Sequence, residues 1–200
     1  MGFMQKLGAT IATKYGTVIE GKHAGCQVAL GNDPKAKIET VDAFTQIIFL
    51  DGTDEKGRYD IEEYIEKLEV LGETEKGIKT DIFFTDGEHL VFELEWKSQK
   101  RDSAVAGIAK AFFGLKSTAT ATEEQIINES FRPIKVFSNT FCAKFTVDAA
   151  DSLLRLFEKN NLLSLENARF LLDLYKKTGR LTDYSRDVFT RLIEEAKKGV

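Results

Sequence analysis

The chain has 200 residues, of which 42% are apolar, 30% charged and only two proline, so it can bury a core without staples and is not a disordered tether. Its net charge of −4 excludes a bulk electrostatic grip on nucleic acid or anionic lipid and leaves room only for a local basic patch. Cys26 and Cys142 lie far apart, and the first sixteen residues hold no apolar run long enough for a secretory signal or a membrane span. Two reduced thiols in a cytoplasmic protein are therefore expected.

Phe3, Leu7, Ile11 and Tyr15 recur at steps of four and suggest a short amphipathic helix, within an N-terminal segment spanning residues 1–20. Such a helix can dock on its own domain or dip into a membrane surface. Cys26 to Leu30 reads as a strand with a turn at Gly31 to Pro34. Thr45 to Leu50 reads as a second strand that stops at Asp51-Gly52, and "GRYDI" returns as its partner. Over 61–71, Ile61, Ile65, Leu68 and Leu71 allow a helix, and a turn followed by a strand over Lys67 to Leu71 is allowed as well.

Next comes "IKTDIFFTDGEHLVFELEWKS", two alternating runs about Asp86-Gly87. A one-residue slip would exchange the faces of one strand, so the loop length matters. A three-residue loop, Thr85-Asp86-Gly87, puts Gly87 at the left-handed position such loops favour. One face then carries Ile78, Thr80, Ile82, Phe84, Leu90, Phe92, Leu94 and Trp96. The other carries Lys79, Asp81, Phe83, His89, Val91, Glu93, Glu95 and Lys97. A cross-strand Lys79–Glu93 pair is expected on that second, wetter face.

"RDSAVAGIAKAFFGLKS" reads as a helix capped by Asp102 or Ser103, and "STATATEE" as a small-residue hinge. A short helix is expected from Glu123 to Phe131, stopping before Pro133. "PIKVFSNTFCAKF" is apolar and β-leaning, with no firm assignment. From Val147 a weak repeat appears: "LLRLFEKNNLLS" and, eighteen residues later, "LLDLYKKTGRLT". Each ends on Asn161 or Gly179, suited to a left-handed helix stop, followed by Ser164 or Thr182, suited to the next cap. Three helices are predicted near 148–160, 165–177 and 183–198, as an antiparallel bundle or arm.

Asp81, Glu95 and Lys97 are spaced like an Asp…Glu-x-Lys site of a metal-dependent nuclease. In the register above, however, Asp81 faces Val91, and Glu95 lies roughly 13 Å away at ~3.3 Å per residue. A shared divalent ion needs both carboxylates within about 2.6 Å of it. A solvated strand face is the plainer reading. His23-x-x-Cys26 lacks the further ligands a structural zinc needs, and Gly21, Gly25 and Gly31 precede no Gly-Lys-Ser/Thr. No metal or cofactor is expected. Lys97, Lys100 and Arg101 beside Trp96 form the one basic cluster.

Strands ending in a "DG" hairpin, "IKTDIFFTDGEHLVFEL", and followed by an amphipathic helix make residues 24–116 resemble the bacterial pleckstrin-homology-like and GRAM-like domains. The resemblance implies a partly open antiparallel barrel capped by a helix, with a role in binding or assembly and no catalytic residues. "LLDLYKKTGRLT" is similar to the short C-terminal oligomerisation motif often appended to such domains, through Gly179, Leu181 and Thr182. With only Lys35 and Lys37 in "GNDPKAK", a protein partner suits the chain better than a phosphoinositide.

The expectation is thus an α+β chain: an N-terminal helix over 1–20, a sheet domain with its capping helix over 21–118, a connection over 119–146, and a helical region over 147–200. It would act as a non-enzymatic cytoplasmic interaction or assembly module, binding a protein partner or a second copy through Leu156, Phe157, Leu174 and Tyr175. The alternatives are the nuclease, and membrane contact through Phe3, Leu7 and Ile11.

Overall fold

The computed structural model describes residues 13–35, 43–96 and 123–198. Seven strands come first: β1 (Lys14–Gly21), β2 (Gln27–Gly31), β3 (Gln46–Asp51), β4 (Asp54–Asp60) and, after the single turn α1 (Ile61–Tyr64), β5 (Ile65–Glu73), β6 (Gly77–Phe84) and β7 (His89–Glu95). Four helices follow: α2 (Glu123–Thr140), α3 (Val147–Lys159), α4 (Leu165–Thr178) and α5 (Asp183–Lys198). The strands form one antiparallel sheet in the order β4-β3-β2-β1-β7-β6-β5. The sheet curls without closing: the Tyr59 ring of β4 meets the Phe84 ring of β6 at 5.2 Å, although four strands separate them in the sheet.

The hairpin takes the register its alternation predicts. The Phe84 N–H donates to the Glu88 carbonyl at 2.8 Å, and Gly87 takes φ +84° in the loop. Asp81 faces Val91 and Lys79 faces Glu93. Ile78, Thr80, Ile82, Phe84, Leu90, Phe92 and Leu94 are all buried on the core side.

Over 61–71 the strand reading prevails. Asp60 caps one turn by accepting from the N–H groups of Glu62 and Glu63, and the chain then extends. A bulge between Ile65 and Lys67 returns Leu68 to the buried face that Ile65 occupies, so spacing that mimics a helix comes from an interrupted strand.

At the other end of the chain order, Lys14–Gly21 is strand, so the helix expected across residues 1–20 does not extend to Tyr15. Tyr15 is buried in the sheet's core. Phe3, Leu7 and Ile11, and the helix expected after Asp102, lie outside the described residues.

Pro133 does not stop α2, which continues to Thr140. Proline removes one helical hydrogen bond, yet Phe131, Ile134, Phe137 and Phe141 bury their side chains along this segment. The Phe92–Phe137 and Trp96–Phe131 ring contacts, at 5.0 and 5.4 Å, lay α2 on the sheet. That burial outweighs the local preference of "PIKVFSNTF", as tertiary packing commonly does. Only Phe145 pairs as β structure, bridging to Leu68.

The last three helices lie where the repeat puts them. Asn161 and Gly179 are left-handed at φ +54° and +85°. Ser164 Oγ accepts from the Asn167 N–H at 3.2 Å. Thr182 and Ser185 exchange two bonds, each hydroxyl accepting from the other's backbone N–H. Phe157 touches Phe131 on one side and Phe170 on the other, so the sheet and the helices share one continuous core and the helices are not a separate bundle.

Candidate functional site

Asp81 and Glu95, the two carboxylates of the Asp…Glu-x-Lys spacing, are not brought together. Asp81 is buried on the outer face of β6, with Oδ1 at 3.1 Å from His89 Nδ1. Glu95 is paired with Gly77, four positions along β6 from Asp81, a span of roughly 13 Å along the strand. Lys97, like Lys100 and Arg101 of the basic patch, lies outside the described residues. Among the described residues no three His, Cys, Asp or Glu side chains gather as metal ligands.

Some charges of this outer face pair with one another. Lys67 bonds Glu69 at 2.8 Å and lies 4.3 Å from the centre of the Phe83 ring, which in turn stacks on His89. Lys79 faces Glu93 but forms no ion pair with it. The Glu93 carboxylate accepts from the Thr74 hydroxyl at 2.6 Å instead.

The four residues expected to meet a partner, Leu156, Phe157, Leu174 and Tyr175, are 7%, 0%, 1% and 1% exposed. They belong to the chain's own core. A helical stripe shows that a face must be covered without showing by what. Polar clasps hold the covering in place. Tyr175 Oη and Thr182 Oγ1 both donate to Asp151 Oδ1, at 2.5 and 2.9 Å. Tyr184 Oη and Arg191 meet the Glu158 carboxylate at 2.8 and 2.7 Å, and the Arg155 guanidinium lies 3.8 Å from the centre of the Tyr184 ring. Burial first, then the Asp151 bond, holds the Tyr175 phenol far above its ordinary range. Burial and Glu158 push Tyr184 up to about 12. The Arg191 bond holds Glu158 below the usual carboxylate range.

Two features stand out once these are set aside. The first is an edge. β4, one border of the sheet, reads Asp-Glu-Lys-Gly-Arg-Tyr-Asp and is protected by its charges. β5, the other border, is half covered: the Leu68 N–H donates to the Lys144 carbonyl at 2.7 Å, and the Thr146 N–H donates to the Leu68 carbonyl at 3.3 Å. Beyond Leu68, among the described residues, no loop or helix backbone bonds to Val70, Leu71 or Gly72. Leu71 is 53% exposed. Here β5 and α3 leave a cleft of about 180 Å³, walled by Val70, Leu71 and Ile78 on one side and Arg155, Leu156 and Lys159 on the other. A Lys159–Glu73 ion pair at 2.5 Å joins the two walls.

The second feature is the loop between β1 and β2. Gly21, His23 and Gly25 all have positive φ, at +86°, +62° and +86°, which turns the loop back over the sheet. The His23 ring stacks on Phe49 at 4.6 Å, and its Nε2 lies 2.9 Å from Tyr59 Oη. Cys26 is buried and, among the described residues, no metal-ligand set forms around it; the His-x-x-Cys spacing spans a turn, closed by the Cys26 N–H donating to the His23 carbonyl. Glycines at 21 and 25 hint at such a turn in the sequence. The rings it lands on come from distant strands and leave no local signal.

Neither a protein-family model, nor a curated protein, nor a solved structure matches this chain.

Proposed function

We propose that the chain is a non-enzymatic interaction module, and that it takes an extended segment of a partner protein on the free half of β5. The observation that carries this reading is the uncovered stretch Val70–Glu73 beside the α3 cleft, with Leu71 facing solvent. A sheet edge with open backbone groups is a template for strand addition, with main-chain bonds giving affinity and the adjoining cleft giving side-chain preference. The same edge already accepts a strand-like partner at Leu68, from the chain's own residues 144–146. An apolar side chain on the ligand suits Val70, Leu71 and Leu156, and an acidic one suits Arg155. A second copy of the chain is the other occupant the edge admits. The resemblance to pleckstrin-homology-like domains belongs to this proposal too: a curled, open sheet of seven antiparallel strands with helices laid across it is in keeping with it.

Gly72 provides the test. A Cβ there meets nothing within 4 Å and its φ is ordinary, so the backbone accepts a side chain, and Gly72→Trp should fill the mouth of the cleft and leave the fold intact. Panning a random peptide library on the wild-type protein should enrich apolar–acidic sequences that Gly72→Trp, folded by circular dichroism, no longer binds. Enriched peptides that bind both proteins equally, or no enrichment at all, would sink the reading. Concentration-dependent sedimentation lost in Gly72→Trp would instead identify the second copy as the occupant.

A further inference from the structure

The β1–β2 loop joins two parts of the curled sheet that no hydrogen-bonded ladder connects. Lys22 reaches the β6–β7 hairpin, with Nζ at 2.5 Å from Glu88 and 3.6 Å from Asp86. The same ammonium lies 5.4 Å from the ring centres of both Tyr59, on β4, and Phe84, on β6. His23, next in the chain, reaches the other way, onto Phe49 of β3 and Tyr59 of β4. The loop thus straps the β3–β4 side to the β6–β7 side over the Tyr59–Phe84 contact. Its own backbone is tied to β1 and to itself by the Val18 N–H to the Cys26 carbonyl at 2.8 Å, the Gly25 N–H to the Val18 carbonyl at 2.9 Å, the Cys26 N–H to the His23 carbonyl at 3.0 Å and the Ala24 N–H to the Gly21 carbonyl at 3.3 Å.

The strap is fitted to an aromatic ring. Gly57 on β4 has no Cβ, and one built there would stand 2.8 Å from His23 Cε1 and 2.9 Å from Nε2. A glycine in mid-strand weakens the strand and is commonly found where another group approaches closely. Here the approaching group is the imidazole.

We propose that the Gly21–Gly25 loop is a latch across the open side of the sheet that lets go when His23 takes up a proton. The proton comes from solvent and completes the imidazolium in a half-buried seat next to the Lys22 ammonium, where the new charge loses water and meets a like charge. The neighbouring acids are already engaged, Glu88 and Asp86 both by Lys22. The groups facing His23 from β3 and β4 are a phenyl ring and a phenol, Phe49 and Tyr59. Tyr64 of α1, with Glu63 beside it, touches Tyr59 and not the imidazole. The Lys22 ammonium adjoins in the chain and repels a second positive charge. Burial first, and Lys22 second, hold His23 below its ordinary value of 6.5, while Glu88 opposes them weakly.

The sign follows from linkage. The open loop protonates at the ordinary value and the closed loop only at a lower pH, so closure is fully favoured above 6.5 and is lost as pH falls through the window between the two values. Opening would uncover Phe49, Tyr59 and Phe84, and it does not depend on any ligand at the β5 cleft.

Hydrogen exchange on the full chain tests this, comparing amides of residues 22–26 with those of β6 and β7 after correction for intrinsic rates. From pH 7.5 to pH 5, the loop's opening constant should rise, by less than tenfold per pH unit, and that of β6–β7 should not. Asn tolerates a left-handed φ, so His23→Asn keeps the turn and should remove the pH dependence. Gly57→Ala, which crowds the imidazole, should show the acid behaviour already at pH 7.5. A loop protection ratio flat with pH would overturn the latch. So would His23→Asn with an unchanged slope, or Gly57→Ala with wild-type protection at neutral pH.

Discussion

At the scale of single residues, Thr80 stands out. Its hydroxyl is buried, the residue being 1% exposed, and is the buried side-chain polar atom among the described residues left with no hydrogen-bond partner. Val70 and Phe92 flank it on the neighbouring strands. A buried unpaired hydroxyl costs about 1–3 kcal/mol, and valine has nearly the same shape without that cost. Thr80→Val is expected to stabilise the protein by about 1 kcal/mol in urea denaturation, and a destabilised variant would mean that the hydroxyl has a partner after all. Alternation alone places Thr80 on the core face. That nothing there could bond to it depends on which side chains the helices bring. His23 shows the same division: two glycines mark a turn, while Phe49, Tyr59 and Gly57, which give the ring its seat, lie on strands that meet it only after folding.

At the scale of elements, the C-terminal helices were the most legible part of the chain because their ends carry local chemistry. A left-handed Gly179 and a Thr182–Ser185 exchange of bonds are short-range events that need no distant partner. Gly179→Ala at φ +85° should therefore cost about 1 kcal/mol, and Thr182→Ala about as much through the lost cap. Gly72→Ala, with ordinary φ and open space, is the control expected to be neutral. Thermal melts of the three variants check this, and equal losses at Gly179 and Gly72 would refute the backbone explanation. α2 was misread for the opposite reason. Its proline gave a local signal to stop, and the signal against it, four aromatic and aliphatic side chains finding the sheet and α3, is long-range. The sequence of β5 allows two readings because a bulge breaks its alternation.

At the scale of the molecule, one core runs from the sheet through α2 to α3 and α4. The chain's only tryptophan, Trp96, packs on Phe131, which packs on Phe157, so its fluorescence reports on a helix fifty residues away. Phe157→Ala should cost about 3–5 kcal/mol. It should shift the Trp96 transition and the helical circular dichroism transition together. Two separated transitions would show that sheet and helices fold as independent units, against the shared core.

The amino-acid sequence by itself determined the class of the fold, the hairpin register, the three closing helices and their caps, because alternation, left-handed stops and capping hydroxyls act within a few residues of where they are written. It also marked Leu156, Phe157, Leu174 and Tyr175 as faces that must be covered. Only the tertiary structure decided that the chain covers them itself, that Asp81 and Glu95 stay four positions apart, that the end of β5 is left uncovered, and that the His23 ring comes to rest on Phe49 and Tyr59. Burial is a property of the assembled whole: an apolar stripe has the same pattern whether its partner is another molecule or another part of the same chain.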